Sequence, residues 1–105
     1  MLQNLGHSYK NGDIVSVKTL QGEEFIAKFL SEEHDVYIFE KPLSLQPNQE
    51  GQISFVPSIF SGENKRCIFP KSNRAWITNT HSDGEAAYLS ASTGIQTPAK
   101  PSIIT

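Results

Sequence analysis

Turn-forming residues interrupt this chain about every ten positions, and the runs between them are short, β-branched and aromatic. Asn11-Gly12-Asp13, Gln21-Gly22-Glu23, Ser31 to Asp35, Glu40-Lys41-Pro42 and Ser61-Gly62-Glu63-Asn64 are the breaks. Between and after them lie Ile14–Leu20, Phe25–Leu30, Val36–Phe39, Ile53–Val56, Arg66–Phe69 and Ala75–Thr78. Segments this short favour strands over helices. Phe25, Ala27 and Phe29 alternate with Ile26, Lys28 and Leu30, so the second run carries two distinct faces. The first two runs flank a Gly turn and read as a β-hairpin. Pro57 marks the fourth strand as an edge strand or bends it. The stretch from Leu43 to Gln52 reads as the longest turn-rich connection. The expectation is five or six short strands in a small antiparallel barrel.

The character changes after Thr78. Ser82-Asp83-Gly84-Glu85 has the form of a capping box, which predicts a short helix near residues 83–91 ended by Gly94. The tail QTPAKPSIIT carries two prolines and no period, so it reads as mobile or docked as an extended strand. The expected division is an N-terminal segment at 1–12, the barrel at 13–80, the C-terminal helix at 81–95 and the mobile tail at 96–105.

A length of 105 residues allows one domain. Hydrophobic residues supply 37% and charged residues 19%, and Ser, Thr, Asn and Gln make up much of the remainder. Aromatic residues at 10% argue for folding over disorder. The core is nevertheless modest, and other copies of the chain are expected to complete its burial. Cys67 is the only cysteine, so no internal disulfide can form, which fits a reducing compartment. No apolar run reaches transmembrane length, and MLQNLGHSYKNGD lacks the pattern of a signal peptide. The reading is a soluble, cytoplasmic protein.

The net charge of -2 hides an asymmetry. Residues 21–50 carry -5, whereas residues 51–80 carry +3 from Lys65, Arg66, Lys71 and Arg74 against Glu63. Lys71, Ser72, Asn73 and Arg74 offer the donors that meet phosphates and base edges; a plain solvated turn is the alternative. The acidic overall balance argues against tight nucleic-acid binding, whose affinity comes mainly from neutralising phosphates.

No catalytic constellation is visible. Cys67 lacks a local partner and reads as a small hydrophobe. His7, His34 and His81 stand far apart without metal-ligand spacing. Glu32-Glu33-His34-Asp35 lacks the glycine of a calcium loop and reads as a solvated turn. Gly22, Gly51 and Gly62 are isolated, so no phosphate-cradling loop exists. Phe69 and Trp76 read as core or interface. An enzyme, a metal site and a cofactor are not expected.

The stretch GDIVSVKTLQGEEFIAKFLSEEHDVYIFEKP, Gly12 to Pro42, resembles the first motif of the Sm-like family, with Gly22 at the turn position. RCIFPKSNRAWI, Arg66 to Ile77, stands where the second motif belongs. The chain departs from the pattern in four places: Glu-Glu-His-Asp-Val replaces the Asp-x-aromatic-Met-Asn signature, Lys71-Ser72-Asn73-Arg74 replaces the Arg-Gly turn, the spacer at 43–65 is longer, and the helix stands at the C-terminus instead of leading the barrel. The longer spacer at 43–65 and the C-terminal helix are similar to Sm-like proteins of marine phages, with Phe55-Val56-Pro57, Lys71-Ser72 and Tyr88 as the shared features. The resemblance implies a strongly bent, five-stranded antiparallel Sm-like barrel with a short C-terminal helix. It implies a ring of five, six or seven copies, closed by pairing the fourth strand of one with the fifth of the next. It also implies single-stranded RNA at the pore and a role as RNA chaperone or regulator, in the host cytoplasm if a phage encodes the chain. By position, the RNA-binding residues are His34, Asp35, Lys71, Ser72, Asn73 and Arg74. A structural or protein-binding ring without nucleic acid is the alternative.

Overall fold

Two strands, β1 (Ile14–Thr19) and β2 (Glu24–Glu32), form the hairpin expected around Gly22. Gly22 sits at φ 95°, a conformation that disfavours any side chain. Its N–H donates to the Thr19 carbonyl at 3.0 Å, and the Thr19 hydroxyl accepts the Glu23 N–H at 3.2 Å. The computed structural model describes residues 9–93. The start of the expected N-terminal segment, Gly94 as helix terminator and the mobile tail all lie outside the described residues.

The third strand, β3 (Val36–Pro47), corrects the sequence reading. Pro42 was expected to close it and the chain to wander until Gln52. Instead the strand runs twelve residues, straight through the proline. The reason is a bulge. Ile26 pairs with Leu43 and Lys28 with Glu40, so Lys41 and Pro42 together face Ala27 alone. Lys41 takes φ 53°, unusual for a residue with a side chain. The unpaired position also accommodates the N–H that proline lacks. The true turn is confined to 48–52, where the Asn48 side-chain oxygen accepts the N–H groups of Glu50 and Gln52, each at 2.9 Å.

One extra residue reverses the faces of everything beyond it. Before the bulge, Tyr37 and Phe39 point to the inner face with Val15, Val17, Phe25, Ala27 and Phe29. Beyond it, Leu43 and Leu45 join Ile14, Ile26 and Phe55 on the outer face. The sheet is therefore covered on both sides, and Ile26, on the face of β2 opposite Phe25, Ala27 and Phe29, is buried.

Two short strands then share the remaining edge of β3. Segment β4 (Ile53–Pro57) pairs with residues 43–47, and β5 (Cys67–Pro70) pairs with residues 36–39. Residues 58–66 loop out between them. A 3-10 turn at Lys71–Asn73 leads into β6 (Arg74–Asn79), which pairs with β1. The strand order is β4-β3-β2-β1-β6 with β5 also on β3. Six strand segments thus fill five positions of one bent antiparallel sheet, and the protein is mainly β.

The outer face is covered by α1 (Ser82–Thr93). Helix formation there was expected, but the cap is not Ser82. The preceding residue, His81, accepts the Gly84 N–H at its Nδ1, 3.0 Å away, and its carbonyl accepts the Glu85 N–H at 2.8 Å. Tyr88 anchors the helix. It is 1% exposed and packs with Ile14 and Ile26; burying a side chain of that size is worth about 1.5–3 kcal/mol. Its hydroxyl donates to the Lys41 carbonyl at 2.7 Å and lies 3.3 Å from that of Glu40. The helix therefore clamps the bulge that creates its own docking face. Among the described residues no helix is long and apolar enough to cross a membrane.

Candidate nucleic-acid interface

Sheet pairing decides which of the expected site residues meet. β5 lies antiparallel to the start of β3, and Val36 pairs with Pro70. The loop before β3 and the turn before β6 are consequently neighbours. The Lys71 N–H donates to the Asp35 carbonyl at 2.9 Å, which joins the two loops directly. His34 and Asp35 extend into solvent, with side chains 95% and 85% exposed. Ser72 and Arg74 are exposed beside them, and Lys71 is half-buried.

Asn73 lies on the other side of the turn. Its carbonyl accepts the Leu20 N–H at 3.1 Å, and the residue lines a recess of about 240 Å³ bordered by Thr19, Phe25, Ile59, Cys67 and Ile68. Of the six expected residues, Asp35 and Lys71 are joined through their backbones, His34 and Ser72 are their exposed chain neighbours, Arg74 is held by Tyr37, and Asn73 borders the recess.

The electrostatics of the junction depend on two residues that the sequence reading did not select. Glu32 takes the Lys71 ammonium at 2.6 Å. The Tyr37 hydroxyl takes the Arg74 guanidinium. Lys71 and Arg74 also stand over the Tyr37 ring, 5.1 and 5.8 Å from its centroid. Both cations are thus held in place, and the Lys71 charge is answered by Glu32, while Tyr37 orients Arg74 without neutralising it. Glu32 had been assigned to a solvated turn, yet it ends β2 and faces a cation from the far end of the sequence. Tyr37 sits on the inner face of β3, within the aromatic cluster of Phe29 and Phe39. The alternation of Tyr37 with Phe39 was the available signal that it pointed inward.

Tyr9 covers the same inner face of the sheet. It packs on Phe29 at 5.7 Å between ring centroids, and its hydroxyl donates to the Ile77 carbonyl at 3.3 Å. Burial pushes its phenol above the ordinary range, with a smaller contribution from Tyr37. Cys67 is half-buried, and its thiol lies 3.7 Å from the Glu63 carbonyl. Burial pushes that thiol up, away from the reactive thiolate. Phe69 belongs to the core, packing on Phe25 and Phe39. Trp76 does not: it is 73% exposed on β6. Among the described residues, no three His, Cys, Asp or Glu side chains are grouped to hold a metal ion.

Compared with known proteins, the chain matches no family model and no curated protein.

Proposed function

We propose that this chain is a ring-forming, Sm-like subunit that binds single-stranded RNA at the junction of the 33–35 loop and the 71–74 turn. The observation that carries the RNA reading is the Lys71–Asp35 backbone bond, which joins the loop carrying exposed His34 to the turn carrying exposed Ser72 and Arg74. An exposed imidazole can stack on a base while a guanidinium and a hydroxyl meet its edge or a phosphate. The pinning of Arg74 by Tyr37 fixes that guanidinium before any ligand arrives. A role as RNA chaperone or regulator is the corresponding activity.

Assembly is supported by the strand edges. Among the described residues β6 pairs with β1 alone, and β4 and β5 pair with β3 alone, so both ends of the sheet leave backbone groups without a described partner. These edges carry exposed Ile53, Ile68 and Trp76. An apolar open edge is an aggregation hazard unless another strand covers it. Joining the β4–β5 edge of one copy to β6 of the next is a head-to-tail contact, which closes into a ring when the rotation allows.

One observation favours a ring that binds protein, or serves structurally, without nucleic acid. Glu32 already answers Lys71, and Glu33 and Asp35 stand on the same loop, where they repel phosphate.

Fluorescence anisotropy with uridine-rich and adenine-rich oligonucleotides at several salt concentrations separates the two. The RNA reading expects binding that weakens with salt and is lost in Arg74→Ala. Absence of binding at low salt and micromolar protein refutes it. Light scattering tests assembly, and a monomer at high concentration refutes the ring.

A further inference from the structure

We propose that the loop between β4 and β5, residues 58–66, is a second contact for single-stranded nucleic acid, with Phe60 stacking on a base and Lys65 and Arg66 meeting the phosphates. The proposal rests on the RNA reading for its class of ligand, though not for its residues.

The basic stretch 65–74 holds Lys65, Arg66, Lys71 and Arg74. The last two are engaged by Glu32 and Tyr37. Lys65 and Arg66 are exposed, and neither forms an ion pair with a described residue. Glu32 neutralises Lys71, whereas the neutral Tyr37 hydroxyl orients Arg74 without cancelling its charge, so the uncompensated positive charge of this stretch lies on Arg74 and on the neighbouring loop.

The loop is held at its neck. The Ser58 N–H donates to the Pro42 carbonyl at 3.1 Å, and the Lys41 N–H donates to the Asn64 carbonyl at 2.7 Å. Since Lys41 and Pro42 are consecutive, residues 58 and 64 are drawn together. Phe60 therefore stands on a short closed loop with the Lys65-Arg66 pair at its foot. The Ser58 hydroxyl also bonds that of Ser44 at 2.8 Å. A stacking platform on a pre-formed loop avoids the entropy of ordering it.

Within this frame the two apolar residues differ. Ile59 lines the recess and lies over Gly62, where an added Cβ would stand 3.1 Å from the Ile59 Cγ2. Phe60 is 85% exposed, with Ser61 and Gly62 following it. A single aromatic ring among hydroxyls and cations suits a base better than an apolar protein surface, which would use a broader patch. Glu63 opposes the two cations and leaves the loop at a net +1. Stacking, more than charge, must therefore supply the contact. Ile59 and Asn73 border the same recess, so the loop and the turn stand on either side of one opening. A nucleic-acid strand leaving the His34 side would pass round the turn at Asn73 and across that opening to reach Phe60.

The test uses the full chain and labelled uridine-rich and adenine-rich oligonucleotides of about ten nucleotides, within the span that single-strand binders cover. Phe60→Ala should weaken binding about tenfold, the scale of one lost base stack. The double change Lys65→Ala/Arg66→Ala should reduce the slope of log K against log salt by about 1.4 if each cation neutralises one phosphate. Phe60→Trp should gain a tryptophan emission that the oligonucleotide quenches, measured against the wild type, whose only tryptophan is Trp76.

Unchanged affinity and salt slope in these variants overturn the proposal. So does a drop in assembly mass with RNA affinity unchanged, which would make the loop a contact between copies. Loss of binding in Arg74→Ala alone would keep the turn and reject the loop; loss in the loop variants alone would do the reverse. No binding by the wild type at low salt refutes both.

Discussion

Replacing Tyr88 by Phe removes one oxygen and isolates what the helix does to the sheet. The ring stays buried against Ile14 and Ile26, so the apolar contact is nearly unchanged. What disappears is the donor to the Lys41 carbonyl at 2.7 Å, with its weaker share to Glu40 at 3.3 Å. Leaving such an acceptor without its partner costs about 1–3 kcal/mol. Tyr88→Ala removes the ring as well and should cost about 3–5 kcal/mol. In urea, where slopes for small proteins are about 1–3 kcal/mol per molar, Tyr88→Phe should lower the midpoint by roughly half to one and a half molar with an unchanged slope. A second readout is pH. Burial, and to a lesser degree Glu40, pushes the Tyr88 phenol well above its ordinary 10.0. Above pH 10 the unfolded chain releases this proton while the folded chain retains it. The stabilisation is complete below that pH and declines as pH rises, at about 1.4 kcal/mol per unit. Wild type should therefore lose stability above pH 10 more steeply than Tyr88→Phe, and the gap between them should close. Equal midpoints at neutral pH and parallel alkaline profiles would refute the claim that this hydroxyl clamps the bulge.

The backbone offers three further tests, each read by thermal or urea unfolding. Lys41→Gly removes the strain of a left-handed backbone at φ 53° and should leave stability unchanged or raised by up to about 1 kcal/mol; a clear loss would mean that the lysine side chain contributes packing. Gly22→Ala meets no atom within 4 Å, so only its φ of 95° opposes it; a loss of about 1 kcal/mol is expected, and no loss would deny the turn its conformational role. Gly84→Ala should destabilise, although helix propensity alone favours it by about 1 kcal/mol, because the new Cβ would stand 2.9 Å from the Thr80 Cγ2 and 3.2 Å from the His81 ring. Thr80 cannot yield freely, since its hydroxyl bonds that of Ser16 at 2.7 Å. A stability gain in Gly84→Ala would refute this account of the cap.

Local chemistry made much of the fold legible. The glycine turn at Gly22, the alternation of Phe25, Ala27 and Phe29, and the break before Val36 each depend on a few adjacent residues, and each is found where expected. Reading failed at Pro42 because a proline inside a strand normally ends it. The compensation comes from Lys41 adopting a left-handed conformation, from Ala27 on another strand and from Tyr88 on the helix. No window around Pro42 contains those partners. The Ser82 capping box failed differently: the motif is present, but the imidazole one residue earlier reaches the same group of N–H donors.

The interface follows the same rule, with a consequence for charge. That the 33–35 loop and the 71–74 turn meet was expected from a resemblance in strand order, and the pairing of Val36 with Pro70 brings them together. A count of charges along the sequence, however, treats Lys71 and Arg74 as equal to Lys65 and Arg66. In the folded chain they differ, because Glu32 and Tyr37 arrive from 39 and 37 residues away to engage the first pair. This makes Glu32→Gln a discriminating change. It frees the Lys71 ammonium from a half-exposed ion pair, whose loss should cost stability less than about 1 kcal/mol. If phosphate binds at the turn, the variant should bind single-stranded RNA more tightly and with a steeper salt dependence, since one more cation becomes available. If the carboxylate is there because the ring holds no nucleic acid, anisotropy should stay flat for wild type and variant alike, and only the unfolding midpoint should move.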